Sequence, residues 1–116
     1  MTEPIFICVC EIVGGSLCVA TEDGDRVCQR ITPALREGRR FIVSFAGVEM
    51  VIPAFLSSAI GQLYGEFPEN VVDSFVEVQN LPFGTDVMIE STRHWAKAYF
   101  RDPVAYERAI QEVLDE

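Results

Sequence analysis

The sequence predicts an α/β domain: a four-stranded mixed sheet with packed helices, in the order β-β-α-β-α-β-α-α. Three observations carry this. Short runs rich in β-branched and aromatic residues, at 5–12, 17–20, 41–45 and 75–78, stand apart from longer segments whose apolar residues recur every three to four positions. Gly14-Gly15 separates the first two runs and supplies the positive φ angles of a tight hairpin turn. Each later run is reached through a helical pattern, as in right-handed β-α-β crossovers. The chain has 116 residues, 49% hydrophobic and 23% charged, which suits one globular domain over 1–116 and excludes a disordered tail.

The elements follow in order. Residues 5–12 (IFICVCEI) are apolar at nearly every position, as in a strand covered on both faces. Residues 17–20 are the short return strand. Thr21 then caps a helix, with Glu22 and Asp23 in its first turn against the positive end of the dipole. Val27, Ile31 and Leu35 form its apolar stripe, Pro33 implies a kink or a restart capped by Thr32, and Gly38 ends it. Residues 41–45 (FIVSF) are the third strand. The stretch 48–61 then reads as a strand end, a short link and a helix opening on Pro53. Leu56, Ala59, Ile60 and Leu63 face that helix's core side, with Ser57, Ser58, Gly61 and Gln62 mostly opposite. Residues 75–78 are the fourth strand. A helix runs from Thr85 or Asp86 to Phe100 with Met88, Thr92, Trp95 and Tyr99 on one face. A last helix starts at Asp102-Pro103 and carries Tyr106, Ile110, Val113 and Leu114.

Composition narrows function. No apolar run approaches the ~20 residues of a bilayer span, and the first residues carry Glu3 instead of a basic leader, so the expectation is a cytoplasmic protein. A formal net charge of -9 argues against nucleic acid as a partner. Arg26, Arg30, Arg36, Arg39 and Arg40 do cluster, but Glu22, Asp23, Asp25 and Glu37 are interleaved with them, which describes a solvated mixed-charge face. Cys8, Cys10, Cys18 and Cys28 form no C-x-x-C pair. They read as buried thiols serving as small hydrophobes, with a four-thiolate metal site as the alternative. On a strand, Cys8 and Cys10 share a face.

Several quoted residues together resemble the STAS superfamily, the sulfate-transporter and anti-sigma-factor-antagonist domains. The closer resemblance is to the bacterial STAS-like group of domains of unknown function. They are Asp23-Gly24 at a helix start, the strand 41–45, Phe45-Ala46-Gly47-Val48, Phe55 in the next helix, and Gly61-Gln62-Leu63-Tyr64. The match covers most of residues 5–80 and shows no fifth strand between the last two helices. The resemblance implies a regulatory module that binds a protein, an ATPase-type kinase or anti-sigma factor. In the antagonists an Asp-Ser-Ser-Gly link precedes the helix and its first serine is phosphorylated, which breaks the partner complex. Here that link falls on Ile52-Pro53-Ala54-Phe55, and a further Asp of the antagonists falls on Ser44. Every polar member of the link is gone: the scaffold is kept and the switch is lost. The implied partner surface is Glu49, Met50, Pro53, Ala54, Ser57 and Ser58.

Other chemistry is sparse. His94 is the only histidine, with Glu90 one turn before it, and a catalytic histidine needs a nucleophile as well. Glu66, Glu69, Asp73 and Glu77 read as a solvated rim. There is no G-x-x-x-x-G-K and no G-x-G-x-x-G, so no cofactor is expected. Some STAS domains bind nucleotides; no residue pattern here adds to that. The expectation is a non-enzymatic protein-interaction module. The alternatives are a small-ligand, nucleotide-binding or thiol-dependent protein using Cys8, Cys10 or His94, and a homodimer scaffold.

Overall fold

The computed structural model describes residues 3–104 of the chain. Their order is β1 (Ile5–Cys8), α1 (Val9–Val13), β2 (Leu17–Cys18), α2 (Thr21–Arg36), β3 (Phe41–Ser44), β4 (Met50–Val51), α3 (Pro53–Ala59), a 3-10 segment (Gly61–Gly65), α4 (Glu69–Phe75), β5 (Val76–Gln79) and α5 (Asp86–Arg101). The α/β class is as the sequence predicts, but a single four-stranded mixed sheet is not what forms. The strands make a three-stranded sheet in the order β1-β3-β5 and a separate pair β2-β4, and every pairing is parallel.

The difference starts at Cys8. The apolar run 5–12 does not continue as strand; it turns into the short helix α1, whose Val9 is buried and whose Ile12 and Val13 pack on the core one turn later. That spacing is helical, and an unbroken apolar run conceals it. Gly14 is therefore a helix cap and not a hairpin turn. Its φ of 82° is left-handed, and the amides of Gly14 and Gly15 both donate to the Cys10 carbonyl at 2.9 and 3.1 Å. The chain then leaves the first sheet. Leu17 lies opposite Met50 and Cys18 opposite Val51, and the Glu49 and Ile52 amides extend the ladder to the Ser16 and Cys18 carbonyls.

The main sheet buries one face. Ile5, Phe41 and Val76 form one row and Ile7, Val43 and Val78 the next, and these rows join the core cluster. Phe6, Ile42 and Glu77 form a row on the opposite face, where Phe6 and Glu77 are exposed. The core beneath the helices is built from Phe45, Phe55, Leu56, Ile60, Leu63 and Ile31, all nearly inaccessible. The Phe45 and Phe55 rings meet edge to face, with centroids 6.3 Å apart and planes at 78°.

The second helix shows the predicted stripe: Val27, Ile31 and Leu35 are buried. Its cap is Ala20, with Thr21 as the first helical residue and Glu22 and Asp23 in the first turn. The helix runs through Pro33 without a restart. Pro33 is exposed and removes one amide donor, and the Thr32 hydroxyl, instead of capping a new helix, donates back to the Cys28 carbonyl at 2.9 Å. The helix α3 opens on Pro53 after an extended Ile52, as its sequence predicts, then tightens into the 3-10 segment. Neither that segment nor α4 was legible as a separate element, and Phe75 closes α4 instead of opening β5. On α5, Thr92 is buried and Met88 and Tyr99 are half-buried, but Trp95 is 57% exposed and the buried side is completed by Ile89. The helix predicted to start at Asp102-Pro103 has only Pro103 and Val104 among the described residues; Tyr106, Ile110, Val113 and Leu114 lie outside them.

One contact positions the rest. Gly24 in the first turn of α2 is buried against α3, and a Cβ there would stand 2.7 Å from the Phe55 carbonyl oxygen and 2.7 Å from the Ser58 Cβ. Both obstacles are rigid helix atoms, so the helices would have to move apart. Gly24→Ala should therefore destabilise the fold by about 1–3 kcal/mol in spite of alanine's better helix propensity. Denaturant unfolding of the two proteins checks this; an unchanged or raised midpoint contradicts the close approach.

Candidate functional site

The junction of β4 and α3 follows from three local features. First, the turn after β3 is held from below by Ser44, which is only 1% exposed. Its Oγ accepts from the Ala46 amide at 3.3 Å and from Asn80 Nδ2 at 3.1 Å. Asn80 adopts a φ of 60°, a conformation asparagine tolerates better than most residues. Second, Ser16 fastens the start of β4: its carbonyl accepts from the Glu49 amide at 2.8 Å, and its hydroxyl donates to Glu49 Oε2 at 3.1 Å. Third, Pro53 begins α3 where its missing N–H has no partner to lose.

These features leave Glu49 and Met50, and then Pro53 and Ala54, exposed on either side of the buried Val51 and half-buried Ile52. Met50 is 53% exposed and stands beside Leu17, its register partner, which is 51% exposed. Leu17 belongs to the same surface and is missed by sequence reading; the signal would have been the parallel pairing of β2 with β4, which no local pattern reveals. Ser57 and Ser58 do not share a wet face. Ser57 is exposed and lines a shallow groove of about 230 Å³ with Gln62, Thr92 and Trp95. Ser58 is half-buried with its Cβ against Gly24, because α2 covers that side of α3. Gly61, expected opposite the core, is buried beneath α5.

The carboxylates near β5 are more than a rim. Asp73 on α4 accepts from the Tyr64 hydroxyl at 2.5 Å and pairs with Lys97 at 2.7 Å and Arg93 at 3.6 Å. Arg93 also donates to the Tyr64 hydroxyl at 2.8 Å and to the Val76 carbonyl at 2.9 Å, so one guanidinium ties α5 to both the 3-10 segment and β5. Arg101 closes the far end with two bonds to Glu69, at 2.7 and 2.9 Å. Burial acts to raise the Asp73 pKa, but the hydrogen bonds from Lys97 and Tyr64 outweigh it and the carboxyl is held below its usual range. Burial, helped by the bond to Asp73, pushes the Tyr64 phenol up to about 12. This network is a clasp between helices.

The thiols and the histidine are dispersed. Cys8 ends β1 and Cys10 lies in α1, both half-buried, so the strand face they were expected to share does not exist. Cys18 is fully buried, and burial first, then the nearby Asp23 and Cys10, push its thiol up to about 11. Cys28 is also raised, chiefly by burial. Among the described residues no group of cysteine, histidine or carboxylate side chains is arranged to hold a metal ion. His94 is exposed on α5 with its ring edge-on to Trp95 at 5.2 Å. That helix packs on α3 and the 3-10 segment, whereas β1 and α1 pack on β3 and α2. Among the described residues no helix is long and apolar enough to cross a membrane.

A family model described as "STAS-like domain of unknown function (DUF4325)" matches residues 23–82, just over half of the chain, from the first turn of α2 to the turn after β5. The matched segment contains Gly24, Ser44 and the whole β4–α3 junction. Neither a curated protein nor a solved structure matches the chain.

The raised thiols and phenol make the fold sensitive to alkaline pH, with Cys18 and Tyr64 the most strongly shifted. Both groups bind their protons more tightly folded than unfolded, so their contribution is complete below the ordinary thiol value of 9.0 and is lost as pH rises toward about 11 for Cys18 and about 12 for Tyr64. Through these groups, unfolding midpoints should fall as pH rises above about 9, with Cys18→Ala reducing the earlier part of the decline and Cys28 keeping its own share. In the native protein Cys18 should resist alkylation until unfolding; rapid native labelling at Cys18 contradicts its burial.

Proposed function

The chain belongs to the family of STAS-like domains of unknown function, and on that footing we propose that it is a non-enzymatic regulatory module whose protein partner docks at the β4–α3 junction. The observation that carries this is the chemistry of the helix start. Ile52 caps α3, Pro53 opens it and Ala54 follows, with Pro53 and Ala54 exposed beside Met50. In the anti-sigma-factor antagonists that the chain resembles, a phosphoacceptor serine stands where Pro53 stands. Proline has no hydroxyl to accept a phosphate, so the roughly -1.5 to -2 charges that phosphorylation adds cannot be placed there. The junction then acts as a constitutive surface, read by shape and apolar contact. The resemblance supports an ATPase-type kinase or an anti-sigma factor as the partner.

Ser57 and Ser58 do not replace the missing acceptor. Ser58 is wedged against Gly24, and Ser57, though exposed, lies one turn inside α3 and not at its start, where the acceptor of the antagonists stands. The reading based on Cys8, Cys10 or His94 has less behind it, since these side chains occupy elements that pack on different neighbours.

The test is affinity capture with the full chain from native lysate, followed by mass spectrometry of both bait and captured proteins. The expected outcome is an ATPase-type kinase or anti-sigma factor whose recovery drops by about tenfold with Ala54→Glu, and a bait free of phosphate at Ser57 and Ser58. Stoichiometric phosphate on either serine, accompanied by loss of the partner, overturns the proposal.

A further inference from the structure

We propose that the outer face of the β2–β4 pair is the docking surface, and that it fits a protein presenting an apolar centre ringed by Lys and Arg. This rests on the regulatory reading for the existence of a partner and adds that partner's chemistry.

The apolar centre comes from register. Leu17 and Met50 are directly opposed in a parallel pair, so their side chains stand together on one face while Cys18 and Val51 turn inward. Val19, two residues beyond Leu17, is 44% exposed, and Ile52, two beyond Met50, is half-buried. Pro53 and Ala54 continue the surface onto α3. These residues form one apolar row on the outer face of the strand pair, the centre of the proposed docking surface.

The charge around it is of one sign. Residues 1–25 and 41–92 contain no Lys or Arg, and these two stretches supply β1, α1, β2, β4 and α3. Glu49 adjoins Met50, Glu11 lies on α1 leading into β2, and Glu22 lies in the first turn of α2 leading out of it. Among the described residues none of these three glutamates is paired with a cation; Asp23 is, to Arg26 at 3.3 Å. The other described cations that pair with acids or bond backbone sit elsewhere. Arg39 and Arg40 precede β3 and bond to the Glu3 and Ser74 carbonyls, ahead of β1 and β5. Arg93, Lys97 and Arg101 neutralise Asp73 and Glu69, and Arg36 pairs with Glu66. Because β1, β3 and β5 are parallel, Arg39 and Arg40 lie at the amino ends of the strands, along with Glu3 and Glu37, whereas Glu11, Glu22 and Glu49 adjoin the carboxyl ends, where β2 and β4 lie with no Lys or Arg in their own segments. A second copy docking by the same face would set acid against acid, which disfavours a symmetric dimer here. A basic partner surface matches both the strip and its rim.

The test uses a random peptide display library panned against the immobilised full chain. Each enriched peptide is then titrated against wild type, Leu17→Asp, Glu49→Lys and, as a control of equal charge change on the remote helix α5, Glu90→Lys. Thermal melts confirm that each variant is folded. The expected peptides place Lys or Arg beside Leu, Ile, Phe or Met. Their affinity should fall by about tenfold or more for Leu17→Asp and Glu49→Lys and by less than about twofold for Glu90→Lys, and it should weaken with added salt. Neutral or acidic peptides, basic peptides that lose affinity equally in the Glu90→Lys control, or no enrichment over Leu17→Asp each overturn the proposal. So does a dimer by light scattering that Met50→Asp and Arg36→Glu both dissociate, which makes the occupant a second copy. If a lysate partner is captured and retained by Leu17→Asp and Glu49→Lys, this surface fails and the regulatory reading stands. If the peptides map here and no kinase or anti-sigma factor is captured, the reverse holds.

Discussion

The contact of Gly24 with α3 is the constraint on which the arrangement depends. Among the described elements the α2–α3 interface is the most extensive, and it closes at a point where a Cβ would meet helix atoms at 2.7 Å. Its importance lies in what each helix follows. The second helix starts directly after β2, and α3 starts directly after β4. The molecule therefore contains two strand-to-helix units side by side, with strands paired in parallel at one end and helices in contact along the other. Moving α2 away from α3 would pull β2 from β4. The buried Cys18 and Val51 would lose their cover, and the outer row of Leu17 and Met50 would lose its register. A single missing Cβ in a helix thus fixes the geometry of a surface on the strands.

How much of this was legible in the sequence differs by element. The long helices were, because Val27, Ile31 and Leu35 keep one face over three turns and Pro53 marks a start without ambiguity. The strands β3 and β5 were, within a residue or two. Pairing was not. A run such as IFICVCEI is apolar on both periods at once, so the break at Cys8 is invisible, and a Gly-Gly after it suits a hairpin turn and a helix cap equally well. Which strand a two-residue segment joins is decided by long-range contacts between α2 and α3, which no window of sequence contains.

The site divides the same way. The helix start at Pro53 and the exposure of Glu49, Met50, Pro53 and Ala54 follow from local rules. The separation of Ser57 from Ser58 does not: both are polar, one residue apart, and only the passage of α2 over Gly24 decides that one is covered. The Tyr64–Asp73–Arg93–Lys97 clasp was hidden for a related reason. Arg93 and Lys97 are one turn apart on α5, and their acceptor on α4 is twenty or more residues earlier in the chain. Of the acids read as a solvated rim, Asp73 and Glu69 are, in the fold, anchors of α5, while Glu77 is exposed as read and Glu66 meets Arg36 at the surface.

That clasp also explains where the protein's negative charge is felt. A net charge of -9 is not spread evenly. Acids at the amino ends of the main strands meet cations within 4 Å and largely cancel at long range. Glu49 meets only the Ser16 hydroxyl, which orients the carboxylate without neutralising it. Glu11, Glu22 and Glu49, beside the end that carries Leu17 and Met50, are among the described acids that have no cation within 4 Å. Unscreened charges of this kind steer an approaching partner and set its orientation, while the apolar row is what loses water on contact and supplies affinity. The two requirements of a docking surface, direction and adhesion, fall on one small strand pair, next to a helix start whose Ile52-Pro53-Ala54 sequence has no group to phosphorylate. On the proposal that a partner docks here, its occupancy is set by the partner's concentration and charge, because proline at this helix start has no hydroxyl to carry a phosphate.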